Sequence, residues 1–209
     1  MRNIEEIASR IQAGLDEKDT VREIAIKSSR AIIRLSGTVV HNTHKHVRSD
    51  AEMSEALDEA ERLQGLLADH QEIWSSGIVQ DALQELAEAA IVLALLRGED
   101  LPEPDELNIP GQAYLMGFAD AIGELRRFAL ESLRQGKVAE AEAYLETMEE
   151  MFLVIMRFDY PDAIVSIRRK QDIARSVLEK TRGDVAVAVS SARLEGKIAE
   201  LNQNLEKRG

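Results

Sequence analysis

Apolar residues recur every three to four positions along nearly the whole chain, and the strict alternation of a half-buried strand is almost absent. The spacing predicts helices from end to end. A short one spans 4–15. A longer one runs from Thr20, placed to cap it, to near residue 48, with Ile24, Ile32, Leu35 and Val39 on its apolar side. Ser49 or Asp50 caps the next, in which Met53, Leu57, Ala60 and Leu67 share a face. Gly77 marks a break before a helix that ends at Gly98, where glycine is favoured. Pro102, Pro104 and Pro110 define a non-helical connector. Further helices are predicted over 111–135, stopping at Gly136, over 138–157, and over 161–182 with Pro161 at its start. Gly183 separates a last helix, which ends in the charged tail 204–209. The expected architecture is all-α: one domain, residues 1–209, built as a bundle of about seven helices.

Composition narrows the class. An apolar fraction of 44% supplies a real core, and with aromatics at 4% that core is mostly aliphatic. The absence of cysteine excludes disulfides and thiolate zinc sites. The first residues lack the apolar stretch of a secretory signal, and no segment approaches the roughly 20 apolar residues of a membrane span. A soluble cytoplasmic protein with no membrane partner is therefore expected. The net charge of −12 argues mildly against nucleic acid, although a local basic lining inside an acidic shell is compatible with it.

The stretch 86–96 is apolar all round a helix except at Glu88. Burying that helix would bury Glu88, which is costly for a carboxylate that is neither protonated, paired nor metal-bound. Glu85 lies three residues earlier on the same face, and adjacent carboxylates raise each other's pKa. A divalent cation resolves the conflict. Asp120 and Glu124 repeat the theme at i,i+4 within 114–125. Mg²⁺ or Mn²⁺ takes hard oxygen ligands and keeps several waters, so two to four carboxylates on facing helices suffice. Such an ion can polarise a phosphodiester and lower the pKa of a bound water. Taken singly, Glu85 and Glu124 also read as surface residues, and Asp120 as a residue near a helix boundary. Glu88 does not, because its neighbours are apolar.

A basic stripe forms the second constellation. Lys27, Arg30 and Arg34 stand at i,i+3/i+4 spacing, followed by His41, His44, Lys45, His46 and Arg48. On one helix they lie along a common side, as phosphate binding requires. The same spacing also suits an ordinary solvated face, with Glu23 as a partner for Lys27. A histidine in this segment could hold phosphate or protonate a leaving group, whereas His70 stands alone and reads as a surface residue. There is no glycine-rich phosphate loop, no His-Glu-x-x-His, no aromatic RNA-binding pattern and no Glu-x-x-His at the acidic helices. Trp74, Tyr114, Tyr144 and Tyr160 are too scattered to propose a base-stacking platform.

Four segments together resemble one family. Tyr-Leu-Met-Gly-Phe-Ala-Asp-Ala-Ile-Gly-Glu-Leu (114–125) resembles the most characteristic segment of the translin family. Its Asp120 is similar to the translin-associated factor X (Trax) branch; translin itself carries an apolar residue there. Ile-Lys-Ser-Ser-Arg-Ala-Ile (26–32), with Val39 and His44 downstream, resembles the first long helix of the family. Glu-Leu-Ala-Glu-Ala (85–89) resembles the acidic motif of Trax, and Arg182-Gly183 the turn before the last helix. The resemblance covers essentially the whole chain. It implies a seven-helix bundle assembling into hollow octamers that bind single-stranded RNA and DNA. The mixed translin–Trax complex cleaves RNA with Mg²⁺ and removes passenger-strand fragments, Trax supplying the carboxylates. The chain lacks the insertion that eukaryotic Trax carries before its Tyr-Leu motif, which implies a compact, archaeal member that assembles with itself.

The resulting expectation is a metal-dependent endoribonuclease acting on single-stranded or short duplex RNA. Glu85, Glu88, Asp120 and Glu124 hold one or two Mg²⁺, and Glu88 or Glu124 orients the attacking water. Lys27, Arg30, Arg34, His44 and Lys45 hold the nucleic-acid backbone. Three rivals follow from the same residues. One is a translin-like binding protein without catalysis. Another is an all-α nucleotide pyrophosphohydrolase, which generally pairs Glu-x-x-Glu with Glu-x-x-Asp where this chain has Asp-x-x-x-Glu. The third is a structural helical bundle, for which four buried acids are hard to justify.

Overall fold

A computed structural model describes residues 3–207. The end of the predicted charged tail, Arg208 and Gly209, lies outside the described residues, as do Met1 and Arg2. Among the described residues there are seven helices and no strand: α1 (Ile4–His44), α2 (Asp50–Leu66), α3 (Gln71–Trp74), α4 (Gly77–Arg97), α5 (Gly111–Arg134), α6 (Val138–Ile155) and α7 (Arg168–Glu206). They form two compact units divided after Gly117, so α5 gives its first turns to one unit and the rest to the other. No helix among these residues is long and apolar enough to cross a membrane.

In the first unit α1 packs against α2 and α4. Its buried face carries Ala25, Ile32, Leu35 and Val39 interleaved with Ser28, Ser29 and Ser36. Opposite stands an alanine-rich helix, with Ala82, Ala87, Ala90 and Ala94 buried among Leu83, Leu86 and Ile91. Small residues on both helices allow their axes to approach. Each fully buried large aliphatic side chain, such as Ile32 or Leu86, contributes roughly 1.5–3 kcal/mol. In the second unit Ala129, Ala141 and Val185 form a core against which Leu133, Tyr144, Leu145 and Val189 pack. The Phe128 and Tyr144 rings meet at a centroid distance of 5.8 Å.

Several boundaries differ from expectation. The predicted break near residues 15–20 does not exist. That stretch contains neither proline nor glycine after Gly14, and the Thr20 hydroxyl donates back to the Asp16 carbonyl at 2.8 Å instead of capping a new helix. Pro161 starts only a single turn, closed by Ile164 N–H on its carbonyl at 2.8 Å. The next helix begins at Arg168 and continues through Gly183 to Glu206, so the turn expected at Arg182-Gly183 is absent. The cause of the late start is Gln171. Its buried amide donates to the Ile155 carbonyl at the end of α6 and to the Phe158 carbonyl beyond it, both at 2.8 Å, tying the start of α7 to the segment after α6. The single turn of α3 was not expected. The stops at Gly98 and Gly136 agree with the sequence reading; Gly98 takes the left-handed conformation, φ 66°.

Each long helix carries an exposed tip, and Lys18 at the inner end of the α1 tip pairs with Glu72 at 2.9 Å. Every residue from 3 to 20 and from 190 to 207 is exposed. Each tip carries an aliphatic stripe at helical spacing, Ile4, Ile7, Ile11 and Leu15 on α1, and Leu194, Ile198, Leu201 and Leu205 on α7.

Candidate acidic site and nucleic-acid interface

On α4, Asp81, Gln84, Glu85 and Glu88 stand at i,i+3,i+4,i+7 spacing and none is buried, while Leu86, Ala87 and Ala89 beside them are wholly buried. The expectation that Glu88 is buried with its helix is corrected: it is half-buried, because it ends a polar stripe on an otherwise enclosed helix. Packing defines this stripe closely. A Cβ added to Gly117 would lie 2.5 Å from the Gln84 carbonyl oxygen and 2.8 Å from both Ala87 Cβ and Glu88 N. Only glycine lets the start of α5 lie against α4 at this point.

In the second unit, cations sit on the acids. Lys170 Nζ, from the start of α7, donates to both carboxylate oxygens of Asp120 at 2.5 and 2.6 Å. The two side chains are only 23% and 24% exposed, so the pair is largely shielded from solvent. Arg127, one turn along α5, donates to both Glu124 oxygens at 3.1 and 2.9 Å. Nothing in the sequence pointed to Lys170, fifty residues from its partner, since ion pairs across helices leave no periodic signal.

The basic residues behave as a solvated face. Lys27, Arg30 and Arg34 are exposed on α1, opposite its serine-lined core side. None of the three has an acidic partner within ion-pair distance among the described residues, so the suggested Glu23–Lys27 pairing does not form; Arg22 is the neighbour beside Glu23, at 3.7 Å. Lys45 is exposed at the end of α1, where its N–H donates to the Asn42 carbonyl at 2.9 Å, and His44 is half-buried. His70, expected on the surface, is half-buried at the start of α3.

Carboxylates are the right donors for Mg²⁺, which is commonly held by one or two of them with waters completing the octahedron. Each unit offers such a pair, so the donor chemistry fits. Among the described residues, however, no three His, Asp or Glu groups are assembled as a metal cage. Both oxygens of Asp120 are engaged by Lys170, and an ion binding there has to displace that ammonium.

Residues 18–183 match the translin family. The chain is 34% identical over 197 residues to an uncharacterised protein of the archaeon Methanocaldococcus jannaschii, covering 92% of this chain and 87% of that protein. It is similar to the crystal structure of AfC3PO, at 32% identity and a TM-score of 0.80, with 90% of this chain and 98% of that one covered. A structure of AfC3PO in complex with duplex RNA matches over the same shares at 31% identity and a TM-score of 0.69. With the family match running across both units, this seven-helix chain belongs to the translin family.

Proposed function

We propose that this protein is an RNA-binding, Mg²⁺-dependent endoribonuclease of the Trax type, built as one translin-like domain. The observation that carries the RNA-binding part is the row of three exposed, acid-free cations on α1, Lys27, Arg30 and Arg34, in a chain of net charge −12. Unneutralised cations on a rigid helix are what a phosphate backbone selects. A similar chain has been seen with duplex RNA, which supports RNA as the ligand. Lys45 and His44 extend the row at the end of α1; single-stranded DNA is a further ligand of the same charge.

For cleavage, Glu85, Glu88, Asp120 and Glu124 are the groups proposed to hold the metal. Mg²⁺ bound there would supply Lewis acidity and a water of lowered pKa. The chain's own residues do the rest. Lys170 orients the Asp120 carboxylate through both of its oxygens until it is displaced. Gly117 fixes the place of Glu88 on α4. The α1 cations hold the phosphates. The test is cleavage of a labelled single-stranded RNA with Mg²⁺ or Mn²⁺, with Asp120→Asn losing cleavage but retaining binding. Undiminished turnover in that variant removes the assignment.

A second reading, an RNA-binding member without catalysis, is favoured by the cations already seated on Asp120 and Glu124. It predicts salt-sensitive retardation of RNA and no product with either metal. Under both readings the protein is proposed to assemble with itself, as an octamer. The aliphatic stripes of the two helix tips, outside the family-matched region, support self-association because such stripes on single helices call for a partner.

A further inference from the structure

A concavity of about 460 Å³ in the first unit lies away from the acidic stripe and the α1 cations in sequence, and the proposed reaction does not use it. Gln64 near the end of α2, Trp74 at the end of α3, and Asp105, Asn108, Ile109 and Pro110 of the proline-framed connector line it. The walls are tied by hydrogen bonds. Ile109 N–H donates to the Pro104 carbonyl at 3.1 Å, Leu107 N–H to the Glu103 carbonyl at 3.2 Å, and Glu103 N–H to the Glu106 carboxylate at 2.7 Å. Leu107 and Ile109 are buried beneath the loop. Asn108 sits at φ 55°, a left-handed conformation that asparagine tolerates, and its amide donates to Gln64 Oε1 at 2.5 Å. Gln80 donates to the Trp74 carbonyl at 3.0 Å and holds the other wall. The concavity is held by these bonds and lined by the chain's single tryptophan, the setting in which small molecules are commonly bound.

Its chemistry selects the ligand class. From residue 98 to 125 there is no lysine, arginine or histidine, while Glu99, Asp100, Glu103, Asp105 and Glu106 crowd the connector. Asp105 has no cationic partner among the described residues. Beyond the effect of burial, Glu103 and Glu106 push the Tyr114 hydroxyl above its usual range, a sign of the local negative field. A phosphate-bearing ligand would find no cation to meet it. A bare metal ion would find one carboxylate and two amides, short of the oxygen set it needs. An organic cation fits: its charge meets Asp105, its apolar or planar body lies against Trp74, and the amide oxygens take its N–H donors.

We propose that this pocket binds a small organic cation bearing alkylammonium groups, of the polyamine class. The proposal is independent of the nuclease reading. Trp74, the only tryptophan, is a built-in reporter. Titration of the full-length protein with spermidine at constant ionic strength is expected to give a saturable change in its fluorescence with one site per chain. Asp105→Asn should weaken binding at least tenfold, with the helical circular dichroism unchanged. Trp74→Phe, followed by calorimetry, should weaken it several-fold. The absence of a saturable response overturns the proposal. So does an equal affinity in Asp105→Asn, or an equal response to MgCl₂, which would make the effect general electrostatics. A saturable response to guanosine monophosphate instead of spermidine would overturn it in favour of a nucleobase pocket.

Discussion

Two regions of this molecule hold carboxylate pairs, and they hold them by different physics. On α4, Glu85 and Glu88 are placed by shape: wholly buried Leu86, Ala87 and Ala89 flank them, and the backbone of α5 presses in at Gly117. In the second unit, Asp120 and Glu124 are placed by charge, with the Lys170 ammonium and the Arg127 guanidinium on their oxygens. A close-packed setting is altered by volume and little by ionic strength, whereas a charged clamp is altered by removing the partner. In the second arrangement the Lys170 ammonium has to leave the Asp120 oxygens before a metal can bind them. The pairs should therefore fail in different ways.

The largest effects are expected on turnover. Glu88→Ala and Asp120→Asn should each lower Mg²⁺-dependent RNA cleavage by at least about 100-fold, since even outer groups of metal sites cost 10–100-fold. Both variants should still retard RNA in a gel. Loss in Glu88→Ala with full activity in Asp120→Asn would break the comparison, leaving the second pair a purely structural clamp. Next comes Gly117→Ala. Its methyl meets backbone atoms at 2.5 and 2.8 Å that cannot rotate away, and overpacking of this kind costs about 1–3 kcal/mol. Urea denaturation of that variant, with an unchanged slope and a lower midpoint, is the check. Conversely, Lys170→Gln should leave stability within about 1 kcal/mol, as partly exposed ion pairs contribute little, while the Mg²⁺ concentration for half-maximal cleavage falls several-fold. An increase in that concentration would mean that Lys170 assists the site instead of competing for it.

The sequence carried the acidic pairs and the basic row because both are short-range periodic patterns on single helices. It carried Gly98 and Gly136 as stops for the same reason. Features made by distant partners were invisible: Lys170 on Asp120, and Gln171 on the carbonyls after α6 that delays α7 to Arg168. The half-burial of Glu88 was missed because the run 86–96 and Glu85 were read without Asp81 and Gln84, which extend the polar stripe on the same face. The continuity of α1 and α7 was missed for another reason. A glycine or a polar cluster lowers helix propensity by an amount that the neighbouring turns can absorb.

Gly183 tests that last point and stands opposite Gly117. It was read as a turn before a final helix, yet it lies within α7, on an exposed side between buried Thr181 and Val185. An added Cβ would meet nothing within 4 Å. Here glycine has no role that alanine would spoil; it only adds freedom to the unfolded chain and exposes helical backbone. Gly183→Ala should therefore stabilise the protein by about 0.5–1 kcal/mol, read as a higher urea midpoint. The two Gly→Ala substitutions then move stability in opposite directions, one against a packed backbone and one into open solvent. A destabilised Gly183→Ala would show that the chain does bend there, as the resemblance to the family turn implied, and would leave α7 as two helices.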